Sequence, residues 1–571
     1  VPSGTEGIAT TSFILKFAQK GSLALISQSG GLAASVVDWA EYSGIGFSHF
    51  MSIGDRVDVD FIDAMEYLED EPHCKGLVMY IESLKDSDRF LKAALKTSKK
   101  KPIFAVKSGR VAEGAAAAAS HTGALAGGDE AYNAAFNTCG IQRLDSFEDV
   151  YIAAETISYM PEIKGNRLAI LTNGGGPSVM AVDALISQGG KLAELETSTI
   201  EELNKILPDT WSHGNPVDIV GDAPASRYAD AMRILAKDKN IDGILVIFVP
   251  TGINSGSAVA ETLVPLLTEN KIKNVLTNWI GEGPYGKANP LFHEAGIPTY
   301  KTPEAAVKAF MLLAEHARIK SSNLSLTEAA PINTERVARC NQMFATLKSE
   351  NRHILTESEA KTIFADYGIP VALPIIAKTP AEARAAHEKL GGKAVIKIYS
   401  KDIVHKSDVG GVVVGIATPA DTEAATAKML AHIAKVMPSA KIDGVVVQEM
   451  IEMPDAYEVL VGVANDPIFG RTILVGAGGV SVEVEKDTAL SLLPINKEQA
   501  LSAISRTRLY NKLKGYRNVK AVDINKIAEV MVAVSQMIAE NPEITEADIN
   551  PLLISSERIV ALDARIVLKN S

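Results

Sequence analysis

Leu23-Ala-Leu-Ile-Ser-Gln-Ser-Gly-Gly-Leu-Ala-Ala-Ser-Val-Val-Asp38 is matched, without a gap, by Leu168-Ala-Ile-Leu-Thr-Asn-Gly-Gly-Gly-Pro-Ser-Val-Met-Ala-Val-Asp183. Each copy runs Leu-Ala, two aliphatics, a hydroxyl, an amide, a small residue, Gly-Gly, an apolar-periodic run and a closing Asp. The apolar start reads as a buried strand, the glycine pair as a tight turn, and the remainder as a helix. Two such units in the same internal register indicate a duplicated domain.

Working outward, short apolar runs recur at Gly76–Ile81 and Pro102–Val106 after the first copy, and at Gly243–Val249 and Asn274–Asn278 after the second. Helical stretches separate them. Strands alternating with helices at this spacing predict two doubly wound parallel α/β domains, over 16–158 and 159–318. The polar, aperiodic stretch Ile319–Glu335 opens a linker taken as 319–352. Beyond it the texture changes. Ala394–Ile398, Gly411–Gly415, Gly444–Gln448 and Glu458–Gly462 read as antiparallel or mixed strands, with a helix over Pro419–Val436. That predicts an α+β domain over 353–571.

The bulk properties narrow the function. A length of 571 residues fits three or four domains. A net charge of −12 argues against a general nucleic-acid binder. Cys74, Cys139 and Cys340 are too far apart for a metal motif or a disulfide framework, which fits a reducing, cytoplasmic setting. No run of 18 apolar residues and no signal peptide is present, so no membrane partner is expected.

Each glycine turn, Ser29-Gly30-Gly31 and Gly174-Gly175-Gly176, would leave backbone N–H groups and a positive helix end facing outward, a setting suited to an anion. Tight packing explains either turn equally well alone; a duplicated pair can close on one anion from two sides. His121 stands in Ser120-His-Thr-Gly-Ala-Leu-Ala-Gly-Gly-Asp-Glu130, after the alanine-rich Val111–Ala119. It reads either as a surface histidine on a small-residue loop or as a nucleophile able to carry a phosphoryl group. Glu82 follows the strand Leu77–Ile81, at the carboxyl edge where α/β sites lie. There it is either a solvated carboxylate or a group that accepts from one imidazole nitrogen and leaves the other free.

In the last domain, Lys397 lies inside an apolar strand, either as a phosphate contact or as a lysine on an edge strand with its head group reaching solvent. Glu449 ends one strand and Glu458 opens the next. Asn550, in Ala547-Asp-Ile-Asn-Pro551, and Asp563, in Val560-Ala-Leu-Asp-Ala564, read as turn residues or as hard oxygen donors facing each other across adjacent strands, suited to Mg2+.

The duplicated unit, Tyr80-Ile-Glu-Ser-Leu-Lys-Asp86, Lys107-Ser-Gly-Arg110 and Ser120-His-Thr-Gly123 together resemble the NDP-forming acyl-CoA synthetases, relatives of succinyl-CoA ligase. The resemblance implies two flavodoxin-like domains followed by an ATP-grasp domain. It implies that His121 is a phosphohistidine and Glu82 its partner. The helices begun by Ser29, Gly30 and Gly31 and by Gly174, Gly175 and Gly176 would hold the phosphoryl group. Lys397 would contact nucleotide phosphates, Glu449 the adenine hinge, Glu458 the ribose or phosphate, and Asn550 and Asp563 Mg2+. Gly476-Ala-Gly-Gly479 resembles the family's glycine turn, with a strand to Glu483 beyond it. His405, in Asp402-Ile-Val-His-Lys-Ser-Asp-Val-Gly-Gly411, matches a motif that carries a second phosphorylatable histidine; contact with a nucleotide phosphate is its other reading.

The implied reaction is acid + CoA + ATP ⇌ acyl-CoA + ADP + phosphate. Mg2+, ATP or ADP, CoA and a small carboxylic acid are the implied ligands, and a homo-oligomer the implied assembly. The family opens on a CoA-binding domain, and residues 1–15 read as its tail. Leu276-Thr-Asn-Trp-Ile-Gly281 and Phe292–Tyr300 also resemble bacterial protein lysine acetyltransferases, in which this portion senses acyl-CoA. The presence of His121 favours an active ligase over that sensor. A nucleotide-binding scaffold without chemistry is the third reading.

Overall fold

Strand β1 (Lys20–Ser27) is an interior strand of a parallel sheet with β2 (Phe47–Ser52), β3 (Gly76–Ile81), β4 (Ile103–Lys107) and β5 (Ile141–Leu144), ordered β2-β1-β3-β4-β5. This computed structural model describes residues 19–111, 113–114, 128–281, 287–322, 324–403, 406–479, 487–515 and 520–569. The chain forms two compact units, Val1–Leu326 and Thr327–Ser571.

In the first unit, Leu23 and Leu25 of β1 pack with Val36 and Val37 of the helix Gly30–Tyr42, and with Val150 and Ile157 of the helix Phe147–Tyr159. Buried strands covered by helices on both faces read as unbroken apolar runs, which is why β1 and β3 show no alternation. A second parallel sheet follows: β6 (Arg167–Thr172), β7 (Lys191–Leu192), β9 (Gly243–Phe248), β10 (Val275–Trp279) and β11 (Thr299–Tyr300), ordered β7-β6-β9-β10-β11. Strand β8 (Val217–Asp218) pairs with the far end of β6. The order repeats that of the first sheet. The reversal of strand order falls between β1 and β3 in one and between β6 and β9 in the other, and the crevice at such a reversal is where doubly wound sheets take ligands.

The second unit is antiparallel. Strands β12 (Ile375–Ala377), β13 (Ala394–Tyr399), β14 (Val412–Ile416) and β15 (Gly444–Glu449) form a sheet ordered β12-β15-β13-β14. Strands β16 (Tyr457–Asp466), β17 (Gly470–Ala477), β18 (Thr488–Leu492), β19 (Ile544–Ile554) and β20 (Ile559–Ala561) form another, ordered β18-β17-β16-β19-β20, with β21 (Arg565–Leu568) on β19. The helix Pro419–Val436 has the bounds read from the sequence; Thr418 caps it and a proline opens it.

Three expectations change. The stretch read as a linker, 319–352, holds the helix Thr334–Ser349, whose Cys340, Phe344 and Leu347 enter the core with Val461 and Ile549. Spacings of four and three residues put those side chains on one stripe. Gly476 and Ala477 belong to β17, so the glycine turn is reduced to Gly478 and Gly479, and the strand expected toward Glu483 lies outside the described residues. Asp563 sits in the segment between β20 and β21 and not on a strand.

All three cysteines are buried free thiols, and burial pushes Cys139 up to about 12. Among the described residues, no helix is long and apolar enough to cross a membrane.

Candidate functional site

The two glycine turns share their internal bracing atom for atom. Ser27 Oγ donates to Ser29 O at 2.8 Å and accepts from Ser29 N at 3.1 Å. Thr172 Oγ1 donates to Gly174 O at 3.1 Å and accepts from Gly174 N at 3.0 Å. The amide that follows reaches the neighbouring strand in both. Gln28 Oε1 accepts from Glu82 N at 2.8 Å and Ser83 N at 3.2 Å. Asn173 accepts from Val249 N at 2.8 Å and donates to Val249 O at 2.9 Å. The repeated hydroxyl and amide therefore hold the turn against the next strand end, and Glu82 and Val249 occupy matching positions.

Beyond the turns, the helices Gly30–Tyr42 and Gly175–Ser187 carry no acidic residue in their first turns. Ser29 caps the first by accepting from Leu32 N at 3.3 Å. Gly174 offers no side-chain cap, so the second helix keeps more free N–H groups. A Cβ on Gly31 or Gly176 would meet open space, so neither glycine is demanded by packing. Gly174 is: its Cβ would lie 2.8 Å from Val249 Cγ2.

Glu82 is half-buried at the carboxyl edge of the first sheet. Lys107, one strand over at the end of β4, is 2% exposed, with its ammonium 4.6 Å from the Tyr132 ring centre. Burial pulls Lys107 down to about 8, against the opposing pull of Asp129 and Glu82. Nearby, the buried Arg56 donates to Ser83 Oγ at 2.7 Å. His121 and His405 lie outside the described residues.

In the second unit, Lys397 is not exposed at an edge. Its Nζ donates to Glu357 Oε1 at 2.7 Å, and Lys361 Nζ donates to the same oxygen at 2.8 Å. Burial alone would raise the Glu357 carboxyl; Lys361 and Lys397 overcome it and hold it at about 2. Glu357 and Lys361 escape a reading of the sequence, because a Glu and a Lys four apart on a helix look like a solvated surface pair.

Glu458, Gly479 and Asn550 come together. Gly479 N donates to Asn550 Oδ1 at 2.8 Å, and Gly478 N donates to Glu458 O at 2.8 Å. With φ at +81°, and with the Glu458 carboxylate where a Cβ would fall, Gly479 admits no other residue without displacement. The pairing of Leu552 with Ala561, continued by Leu562 N donating to Pro551 O at 3.0 Å, brings Asp563 opposite Asn550. Asp563 Oδ1 accepts from Ala564 N at 2.8 Å, which leaves its second oxygen. Glu449 is instead gripped by both terminal nitrogens of Arg558, at 3.0 and 3.1 Å, and that pairing lowers its pKa.

Three family models match the chain in succession: a succinyl-CoA ligase like flavodoxin domain over residues 20–157, a ligase-CoA domain over 168–321 and an ATP-grasp domain over 346–568. The acetate–CoA ligase (ADP-forming) I of Archaeoglobus fulgidus is 35% identical over 565 residues, which are 99% of this chain and 80% of that protein. The acetate–CoA ligase (ADP-forming) of Methanocaldococcus jannaschii is 37% identical over 570 residues, 97% of this chain and 79% of its own length. Among solved structures, the dinucleotide forming acetyl-coenzyme A synthetase 1 of Ca. Korarchaeum cryptofilum, in complex with phosphate and ADP, is 32% identical, covers 54% of this chain and 68% of its own, and gives a TM-score of 0.51. With that identity running nearly end to end, and with the flavodoxin-like and ATP-grasp parts in the same order, the chain belongs to the fused ADP-forming acyl-CoA synthetases.

Proposed function

We propose that the chain interconverts a small carboxylic acid, CoA and ATP with acyl-CoA, ADP and phosphate, through a phosphoryl group carried on His121. The observation that carries this reading is the pair of helix N-termini braced by the same hydroxyl contacts, free of acidic residues in their first turns, with Glu82 at the strand end beside one of them. Helix N-termini stabilise a bound dianion through their free N–H groups and dipoles. The Glu82 carboxylate accepts from one imidazole N–H and leaves the other nitrogen to attack. In one half-reaction that nitrogen takes the terminal phosphoryl group as its bond to ADP breaks. In the other it exchanges the phosphoryl group with a carboxylic acid, through an acyl phosphate whose carbonyl is then open to the CoA thiol. Two covalent steps replace one direct exchange between distant substrates.

Lys397 neutralises charge on the nucleotide phosphates, with Glu458 beside the ribose or phosphates and Glu449 at the adenine hinge. Asn550 and Asp563 fit Mg2+, since each keeps an oxygen lone pair while the other capacity is spent on Gly479 N and Ala564 N. Two hard protein ligands leave the remaining positions to water and phosphate, the arrangement Mg2+ favours. When bound there, the cation supplies charge neutralisation during phosphoryl transfer. His405 either relays the phosphoryl group or contacts the nucleotide, and the working assembly is a homo-oligomer.

Incubation with γ-labelled ATP and Mg2+ tests the reading. Acid-labile, base-stable label is expected on the native chain and is expected to vanish in His121→Ala. A chain that binds ATP yet never acquires label at any histidine would be a sensor or scaffold and not a ligase.

A further inference from the structure

One carboxylate in the second unit is shared by three ammonium groups. Glu357 Oε1 accepts from Lys361 and Lys397, and Lys406 Nζ stands 3.4 Å from Oε2. The lysine side chains are 0%, 17% and 22% exposed, respectively, and Glu357 is 14% exposed. Lys361 spends one further proton on Gln448 Oε1, at 3.3 Å. Three ammonium groups face this one carboxylate, with Asp563 the further negative charge acting on Lys361, so positive charge stays in excess on groups largely withdrawn from water. Poorly hydrated cations without a matching counter-charge are unfavourable, so such a cluster favours a further anion.

The shape of the sheet selects where that anion comes from. Ile396 and Ile398, on either side of Lys397, point into the core formed with the helices Pro380–Leu390 and Pro419–Val436. Lys397 therefore faces away from that core, toward Glu357. Asp563 acts electrostatically on Lys361, so the cluster lies near one of the oxygen donors proposed for Mg2+.

We propose that Glu357 is an internal surrogate for a phosphate oxygen: a nucleoside di- or triphosphate takes over Lys397 and Lys406 from it, while Lys361 stays behind as its buried counter-ion. Glu357 is thus a positioning residue that competes with the nucleotide, and Lys361 strengthens binding from a distance without touching it. This rests on Lys397 being a nucleotide ligand. It adds that affinity follows the net charge of the whole cluster.

Titration calorimetry with Mg-ADP and with AMP, on the full chain and on variants whose folding is checked by thermal melting, decides it. Glu357→Gln is expected to bind ADP about tenfold more tightly, because the competing charge is gone and the Gln oxygen still receives Lys361. Lys361→Met and Lys406→Gln are each expected to bind it about tenfold more weakly. The double variant Glu357→Gln with Lys361→Met is expected within about threefold of the native chain, and it carries the test of charge compensation if the single Glu357 variant does not fold. AMP is expected to shift less than ADP throughout. Unchanged or weaker ADP binding by folded Glu357→Gln, or equal shifts for AMP and ADP, would overturn the surrogate role while leaving the nucleotide site standing. A native chain that binds no ADP would sink the nucleotide reading and this inference with it.

Discussion

The two halves of the first unit carry the same scaffold and a different edge. In each, a hydroxyl braces the glycine turn and an amide ties it to the adjacent strand end. The strands align as Ser27 beside Tyr80 beside Val106, and as Thr172 beside Ile247 beside Asn278. One step further along, the first half presents Ile81, then Glu82, with Lys107 alongside. The second presents Phe248, then Val249, with Trp279 alongside. Trp279 stacks on Phe248 at 5.6 Å and meets Phe292 edge-on at 4.5 Å, so that edge is closed by apolar contact. In the first half the same positions hold a carboxylate and a buried ammonium. The residues that hold the turn in place are repeated; the charged pair at the strand ends is not. On the proposed reading, the duplicated fold supplies two helix ends for one phosphoryl group while only the first half carries a carboxylate and an ammonium beside it.

The largest expected effect comes from erasing that asymmetry at its charged side. Glu82→Gln should lower phosphohistidine formation and turnover by about 100-fold or more. Its melting temperature should stay close to native, because Glu82 is tied to Gln28 through its backbone N–H and not its carboxylate. A variant that labels normally would leave the two edges equivalent in chemistry.

Next is Lys107, whose partner in the other half is an indole. Its folded pKa of about 8 lies below the free value of 10.5, with burial the leading cause. Between those two values the unfolded chain holds a proton that the folded chain has lost, so stability rises with pH across that interval. The native chain should gain on the order of 2 kcal/mol over Lys107→Met between pH 7.5 and 10.5. Urea denaturation of both proteins across that range would show it, and parallel pH profiles would refute it.

The smallest effect concerns how the turns accommodate their neighbours. Gly174 lacks the Cβ that would press on branched Val249, whereas its counterpart Ser29 has one and the residue matching Val249 is the unbranched Glu82. Gly174→Ser should cost about 1 kcal/mol, and Val249→Glu should relieve most of it, a coupling that a double-mutant cycle measures. Strict additivity would show the two positions to be independent.

What was legible in the sequence was whatever is local. The strand–turn–helix unit announced itself because its strand, turn and helix signals lie within one short stretch. Lys397, Glu449 and Glu458 stood out as polar groups in or beside apolar strands, and the structure gives Lys397 and Glu449 close side-chain partners in Glu357 and Arg558. The helix Thr334–Ser349 was hidden because its apolar stripe is narrow and the rest of it is charged, so composition resembled a linker. Glu357 and Lys361 were hidden for the opposite reason. Their spacing is ordinary, and only packing reveals that Lys361 has no contact with water. Asn550 and Asp563 were readable as a pair, yet the end of β20 at Ala561 leaves Asp563 on an irregular segment rather than a strand. Long-range register decides such details, and no local pattern encodes it.

The three buried thiols have a practical consequence. Burial holds the pKa of Cys74, Cys139 and Cys340 above the ordinary thiol value, so little reactive thiolate forms near neutral pH. The native chain is therefore a quiet background for thiol-directed probes. Val111 is exposed immediately ahead of the alanine-rich stretch that leads to His121. A single cysteine placed there would carry a fluorophore or spin label with little competing signal. The protein thus comes ready for direct observation of how the segment bearing its proposed phosphoryl carrier responds to nucleotide, acid and CoA in turn.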